Sequence, residues 1–299
     1  MNVVLPKPGT YVLAVSGGVD SRVLLDILHK HNQDNNWKIV VAHLDHGMRE
    51  DSTEDRRFVQ TLAKNYDLPF VYDSINLGDG ASEAIARTAR YAFLSRVQRA
   101  SKAKAIVTAH HRDDLIETAI INLLRGSGRK GMTSLSSRSE MLRPLLSVPK
   151  SELINYAQDQ GLTWREDSTN QDDAYLRNYV RHKIVPRLDQ EAINEFLGII
   201  NDLKKLNNTL DTLLVKQLDQ QGKSGTITRL WFNNLPHAVA LEMLASWLRS
   251  HGLRDFSKIT LERLVIIAKT AQSGTQFPLR KGYIIRVSTE YLALEQAER

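Results

Sequence analysis

Three stretches of this sequence carry side chains able to do chemistry. They are Ser16-Gly17-Gly18-Val19-Asp20-Ser21, His43-Leu44-Asp45-His46-Gly47 and His110-His111-Arg112-Asp113-Asp114. The first is built like an anion cradle. Glycines let backbone N–H groups face a ligand with no Cβ in the way. Ser16 and Ser21 add hydroxyls, and a helix starting near Asp20 would point its positive end at the same spot. The six residues are not a Walker A loop, since no Lys-Ser/Thr pair follows at the required spacing. They are not a dinucleotide fingerprint, since G-x-G-x-x-G is missing. A plain strand-to-helix turn capped by Ser and Asp is the alternative; the company the loop keeps favours phosphate. In the other two stretches, carboxylates and histidines suit proton transfer. His43 and His46 around Asp45 fit an internal hydrogen-bonded turn equally well. His110 and Asp114, four apart, would share a helix face, but His-His-Arg-Asp-Asp is not a zinc spacing.

The surrounding elements explain how three distant stretches could meet. Residues 11–16, 38–44, 70–75 and 105–110 are short, rich in Val or Ile and nearly continuously apolar, as expected of strands buried on both faces. Helical patterns lie between them at 20–31, 51–66, 81–99 and 112–125. The alternation predicts a doubly wound α/β fold with a parallel sheet. In such sheets ligands bind at the carboxyl ends of the strands, and all three reactive stretches sit at predicted carboxyl ends. Past Arg143 the strand signal fades. Helices are predicted at 150–160 and 174–184, and a long amphipathic one at 191–218 with Ile193, Phe196, Leu197, Ile200, Leu203, Leu206 and Leu210 on one side. Residues 219–226 read as a loop and a domain boundary. Beyond it come helices at 237–251 and 258–270 and a small β-meander near the C-terminus. The expected organisation is a catalytic domain over 1–190, a linking helix over 191–218, and a smaller, mainly helical C-terminal domain over 219–299.

Composition narrows the function. The 299 residues include no cysteine, which removes thiolate metal sites, iron–sulfur clusters and cysteine nucleophiles. No apolar run reaches membrane-spanning length, and the N-terminus lacks a secretory pattern, so the expected location is the cytoplasm. Lys plus Arg outnumber Asp plus Glu by 40 to 34. The excess is clustered: Arg87 to Lys104 holds six basic residues and no acidic one, and Arg125 to Lys150 holds six against Glu140 alone. Each cluster taken singly is a solvated face; two beside a nucleotide-type loop point to a nucleic-acid partner.

The loop at 16–21 resembles the pyrophosphate-binding loop of the N-type ATP pyrophosphatases, the PP-loop superfamily. Within it, further stretches resemble the tRNA(Ile)-lysidine synthetase family: AHLDHGMR (42–49), SEAIARTARYAFL (82–94), AHHRDDLIETAIINLLRGSGRKG (109–131), RPLL (143–146) and REDSTNQDDAYLRNYVRHKIVPRL (165–188). They run in order from residue 11 to 188; the last third is less distinctive. The resemblance implies an adenine nucleotide alpha hydrolase-like fold, with the C-terminal part as a tRNA-binding domain. A further C-terminal module of the longest members is expected to be missing. It also implies a reaction: ATP adenylates C2 of the wobble cytidine in the CAU anticodon of a minor isoleucine tRNA, and free L-lysine displaces AMP to give lysidine.

Roles follow from the resemblance, residue by residue. ATP would lie against Ser16, Gly17, Gly18, Val19, Asp20, Ser21, Ala42, His43 and His110, with Mg²⁺ at Asp20. Asp20, Asp45, Arg90 and Asp114 would be catalytic. Asp45, Glu117, Glu166 and Asp167 would bind lysine, with Asp113 a further carboxylate; the sequence does not rank them. Arg87, Arg125, Arg129, Lys130, Arg177 and Arg181 would hold tRNA, although Arg87 and Arg90 could instead approach the reacting phosphate. A homodimer is one arrangement open to the chain. Two other classes compete: another PP-loop synthetase that modifies tRNA or forms amides, and a non-catalytic tRNA- or nucleotide-binding homologue. The absent cysteines speak against a tRNA thiolase.

Overall fold

The structure, a computed structural model, describes residues 1, 3–35, 37–45, 52–75, 83–165, 175–222, 225–253 and 256–296. The chain divides into two compact units, Met1–Asn201 and Asp202–Arg299.

In the first unit, β1 (Thr10–Ala14), α1 (Val19–Asn35), β2 (Lys38–Asp45), α2 (Ser52–Asn65), β3 (Phe70–Ser74), α3 (Glu83–Ala100) and β4 (Ala105–Val107) alternate as the periodicity predicts. After α4 (Arg112–Leu124) and α5 (Arg129–Met132) comes β5 (Met141–Leu142), then α6 (Lys150–Asp159) and α7 (Leu176–Tyr179). The strands form one parallel sheet in the order β3-β2-β1-β4-β5. Along β1, side chains alternate between faces. Tyr11 and Leu13, with Val15 beyond them, pack in a cluster that holds Val23, Leu24, Ile27 and Leu28 of α1, Val59 and Leu62 of α2 and Leu153 of α6. Val12 packs on the other side with Phe93, Leu94 and Val97 of α3. The sheet is therefore doubly wound. Chain direction across it reverses between β1 and β4, which makes their carboxyl ends the switch-point crevice.

Three expectations need correcting. Residues 70–75 do not form a strand buried on both faces: β3 is the sheet edge, with Val71 37% and Tyr72 49% exposed. A fifth strand, β5, has only two residues and left no periodicity to read. The helix expected over 174–184 is α7 followed by a turn of π-helix, Val180–Ile184.

Helix α1 is anchored from behind. Asp26 is buried, and its carboxylate accepts hydrogen bonds from Tyr66 (2.6 Å) and Tyr156 (2.8 Å), while Lys30 Nζ lies 2.8 Å away. Arg22 donates to the Tyr66 hydroxyl at 2.7 Å. Burial pushes the Asp26 carboxyl up, but the hydrogen bonds from Lys30, Tyr66 and Tyr156 outweigh it and hold the pKa below the usual range. These contacts tie α1 to α6 and to the end of α2.

The chain between the two sheets is carried by α8 (Gln190–Asp219), opened by Asp189, whose carboxylate accepts from the Ala192 amide at 2.8 Å. In the second unit, β6 (Thr226–Thr228), β7 (Gln276–Pro278), β8 (Tyr283–Val287) and β9 (Tyr291–Gln296) form an antiparallel sheet in the order β6-β9-β8-β7. It packs with α9 (Arg229–Asn234), α10 (His237–Ser250) and α11 (Lys258–Thr270) around Phe232, Leu244, Trp247, Val265, Ile285 and Leu292. The meander is the one expected; β6, placed in the predicted loop at its last residue, adds a fourth strand.

Candidate functional site

The loop after β1 is supported from β2. Val15 N–H donates to the Ala42 carbonyl at 3.0 Å, and the buried His43 ring places Nδ1 2.8 Å from the Val15 carbonyl. Burial pushes the imidazole down from its ordinary pKa, so the ring is neutral and Nδ1–H donates. His43 thus props the loop. Gly17 turns the chain with φ +97°, a conformation open to glycine. The Ser21 hydroxyl donates to the Gly18 carbonyl (3.0 Å) and accepts from the Ser16 amide (3.2 Å), closing the loop on the first turn of α1. The first helical hydrogen bond runs from Arg22 N–H to Gly18, so the amides of Val19, Asp20 and Ser21 have no acceptor within the helix. A Cβ on Gly18 would come no closer than 3.6 Å to any neighbour. Packing therefore does not demand that glycine, whose own amide donates to the Ser16 hydroxyl at 3.3 Å; the amides left without a helical acceptor are those of Val19, Asp20 and Ser21.

The second wall comes from the end of β4. His111 precedes α4, and its amide donates to Asp114 Oδ2 at 3.0 Å, capping the helix. His110 Nδ1 lies 2.8 Å from the Thr108 hydroxyl, and burial holds its imidazole neutral against the pull of Asp114. Asp114 and Glu117, three apart, share a face of α4. Arg177 and Arg181, four apart, meet them from α7 and the π turn. Arg181 grips Glu117 with Nε at 2.7 Å and Nη2 at 3.0 Å, and lies 3.6 Å from Asp114. Arg177 Nη1 is 3.8 Å from both carboxylates. Burial pushes the Asp114 carboxyl up, but His111, through its ring and its backbone amide, and Arg177 together hold it below its usual range. Glu117 goes the other way: it is 2% exposed, burial dominates over the Arg181 contact, and its pKa is raised.

The two walls are joined by a residue that the sequence offered only as the last member of the basic cluster from Arg125 to Lys150. Lys150, at the start of α6, places Nζ 2.6 and 2.7 Å from the two Asp20 oxygens. Its amide donates to Asp113 Oδ2 at 2.9 Å. His111 Nε2 lies 3.8 Å from Asp20 and 3.5 Å from Asp114. Asp20, His111, Asp113, Asp114, Glu117, Lys150, Arg177 and Arg181 are thus one connected cluster at the switch point. His111 lay inside a stretch singled out from sequence but received no role there.

The other candidates are placed as follows. Asp45 is buried at the end of β2, and Ala42 is buried within it. Arg87 and Arg90 are exposed on α3, with the Arg87 guanidinium 4.9 Å from the Tyr91 ring centre. Arg125 follows the far end of α4, about 20 Å from His111 at 1.5 Å per residue; Arg129 and Lys130 are on α5. Arg177 and Arg181 turn toward carboxylates of the cluster. Glu166, Asp167 and His46 lie outside the described residues. Among the described residues no group of three histidine or carboxylate side chains is arranged so that it could hold a metal ion by itself. The donors at the loop, one carboxylate and two hydroxyls, are hard oxygens that fit a Mg²⁺ ion sharing its coordination with substrate phosphates.

Known proteins resemble this chain along most of its length. Residues 3–188 match the family model described as PP-loop domain. A tRNA(Ile)-lysidine synthase of Thermotoga sp. (strain RQ2) is 40% identical over 192 residues, covering 62% of this chain and 46% of that protein. Those of Idiomarina loihiensis and Streptococcus thermophilus (strain CNRZ 1066) are 31% and 32% identical, covering 94% and 95% of this chain and 66% of each relative. The chain therefore spans about half to two thirds of the length of these curated relatives. Among solved structures, the U34-tRNA thiolase NcsA of Methanococcus maripaludis with its [4Fe-4S] cluster matches with a TM-score of 0.58 at 19% identity, over 68% of this chain and 73% of that one. That likeness concerns the fold; cluster-holding cysteines are absent here.

Proposed function

Because the chain belongs to the PP-loop domain family, which implies ATP binding, we propose that it ligates free lysine to C2 of the wobble cytidine in the CAU anticodon of a minor isoleucine tRNA. The observation that carries this reading is the meeting, at one switch point, of the amides at the start of α1 that lack a helical acceptor and a partly buried cluster holding both carboxylates and guanidinium groups. Free lysine brings two ammonium groups and a carboxylate, so its pocket needs both signs of charge. The relatives named above support the same choice.

In this reading the cytosine O2 bonds to the α-phosphorus of ATP while the bond to the β-phosphate bridge breaks. The α1 amides with Ser16 and Ser21 take up the charge of the departing pyrophosphate. The lysine side-chain ammonium then gives up a proton, its amine bonds to C2, and the C2–O bond breaks to release AMP. Asp114, Glu117 and Asp45, with Glu166 and Asp167, are the carboxylates to hold the ammonium and take that proton; Arg177 and Arg181 suit the lysine carboxylate. Mg²⁺, when bound, shields phosphate charge, and Asp20 would hold it. His43 positions the loop, and Ala42 and His110 flank the nucleotide. Arg90 on α3 is assigned to the reacting phosphate. Arg87 on α3, Arg125 past the end of α4, and Arg129 and Lys130 on α5 are assigned to the tRNA. A cytidine in an anticodon loop is already unpaired, so little unstacking is needed. Residues 1–190 would do the chemistry, with 191–218 linking them to a tRNA-recognising part over 219–299. The reaction places the protein in the cytoplasm. Among the described residues no helix is long and apolar enough to cross a membrane.

The test is pyrophosphate release by the full chain with ATP, Mg²⁺, labelled lysine and a transcript of that tRNA, followed by nucleoside analysis. Release that requires both lysine and tRNA, with label in the wobble nucleoside, is the expected result. Tight binding of tRNA and ATP without turnover would overturn it in favour of a non-catalytic role.

A further inference from the structure

Lys150 holds Asp20 in a way that a structural ion pair does not explain. Asp20 lies in the first turn of α1, among the three amides that have no acceptor within the helix. The ammonium bonded to both its oxygens is therefore held against the place where phosphates would dock. Lys150 is also the first residue of α6, where a cation faces the positive end of the helix dipole. A cation there works against its own helix, and such local conflicts mark functional positions. The pair is about a third exposed on each side, so solvent screens it and opening it costs little. The backbone, by contrast, is fixed. The Lys150 amide is bound by Asp113, and the Arg112 amide donates to the Val148 carbonyl at 2.9 Å, fastening the start of α6 to the start of α4. Only the four-carbon side chain is left to move.

We propose that Lys150 is a nucleotide-phosphate ligand, whose ammonium passes from Asp20 to the β- and γ-phosphates when ATP enters. The proposal rests on the ATP-dependent reading above. A triphosphate entering the loop would bring several negative charges beside the Asp20 carboxylate. An ammonium already there neutralises the carboxylate while the site is empty, and meets a denser negative charge once it is filled. Its departure frees Asp20 to face a cation brought with the nucleotide.

The experiment measures dissociation constants of the full chain for α,β-methylene-ATP, inorganic pyrophosphate and AMP by calorimetry. Lys150→Met should weaken the analogue and pyrophosphate at least tenfold and leave AMP, which lacks the outer phosphates, within twofold. Lys150→Arg, which keeps the charge, should stay within about threefold of wild type for all three. Should Lys150→Met lose its melting transition, Lys150→Gln is held to the same criterion. Unchanged pyrophosphate and analogue binding overturns the proposal, and so does a loss of AMP affinity in step with the analogue, which would mean general damage. A wild-type chain that binds neither ATP analogue nor pyrophosphate overturns the ATP reading itself, together with the proposal.

Discussion

Asp26 and Glu117 are both carboxylates inside the first unit, 4% and 2% exposed, yet their environments push them in opposite directions. Asp26 is served by two tyrosine hydroxyls and an ammonium, and these overcome burial, so its charge is stabilised. Glu117 has one arginine fork, from Arg181, with Arg177 3.8 Å away, and among the described residues no hydroxyl donates to it; it stands near the negative Asp114 and remains dominated by burial, so its charge is penalised. The difference is one of satisfaction. A fully hydrogen-bonded buried charge fastens helices together; an under-served one keeps free energy available for a ligand. Both sit on helices of the same unit, Asp26 on α1 and Glu117 on α4, so holding and reacting fall to different buried carboxylates of one fold.

The comparison is sharpened most by the loop. Asp20→Ala should lower pyrophosphate release by about 10²–10³-fold, the scale of a lost charge-stabilising group, while costing under about 1 kcal/mol in stability because its partner is partly exposed. Rate assays and urea unfolding on the same preparations check both halves; large destabilisation would assign Asp20 to the scaffold.

Next come Glu117→Gln and Asp26→Asn, which should fail in opposite ways. Glu117→Gln is expected to lower turnover about 10²-fold or more, the range of a lost proton-transfer group, with little loss of melting temperature. Asp26→Asn should cost roughly 2–3 kcal/mol, as loss of buried hydrogen bonds to a charge does, with kcat/KM within threefold. Similar behaviour by the two variants would break the comparison.

Their pH dependence has opposite sign as well. The Asp26 carboxyl is held below its unfolded value, so its stabilisation is complete above the unfolded pKa of about 4 and is lost as pH falls through the folded one. Glu117 is held above its unfolded value, so its contribution is present below the unfolded pKa of about 4 and is lost as pH rises through the folded one. Melting curves between pH 3 and pH 7, about the window these carboxyls span, should show the Asp26→Asn deficit shrinking toward acid. Over the same range Glu117→Gln should gain on wild type toward neutral pH.

The smallest effect lies outside both carboxylates. If Arg129 and Lys130 contact phosphates, reversing both charges should flatten the dependence of log tRNA affinity on log salt by about two. Filter binding over a salt series reads the slope; an unchanged one would make α5 a solvated face.

Much of this was legible along the chain. Periodicity gave the four longer strands of the parallel sheet, and turn chemistry marked the loop at 16–21. The alternation of elements predicted that His43, Asp45 and the 110–114 stretch would approach that loop's edge of the sheet. Those features are short-range, and the sequence by itself determines them, because strand alternation, helix starts and glycine turns depend on neighbours a few residues away. Only the tertiary structure decided that β3 is an exposed edge, that β5 and β6 extend the sheets, and which charges meet. Lys150 reaches Asp20 across 130 positions and Arg181 reaches Glu117 across 64. Burial and charge balance are set by whatever the fold brings within a few ångströms, so no local pattern could tell that Asp26 would be satisfied and Glu117 left wanting.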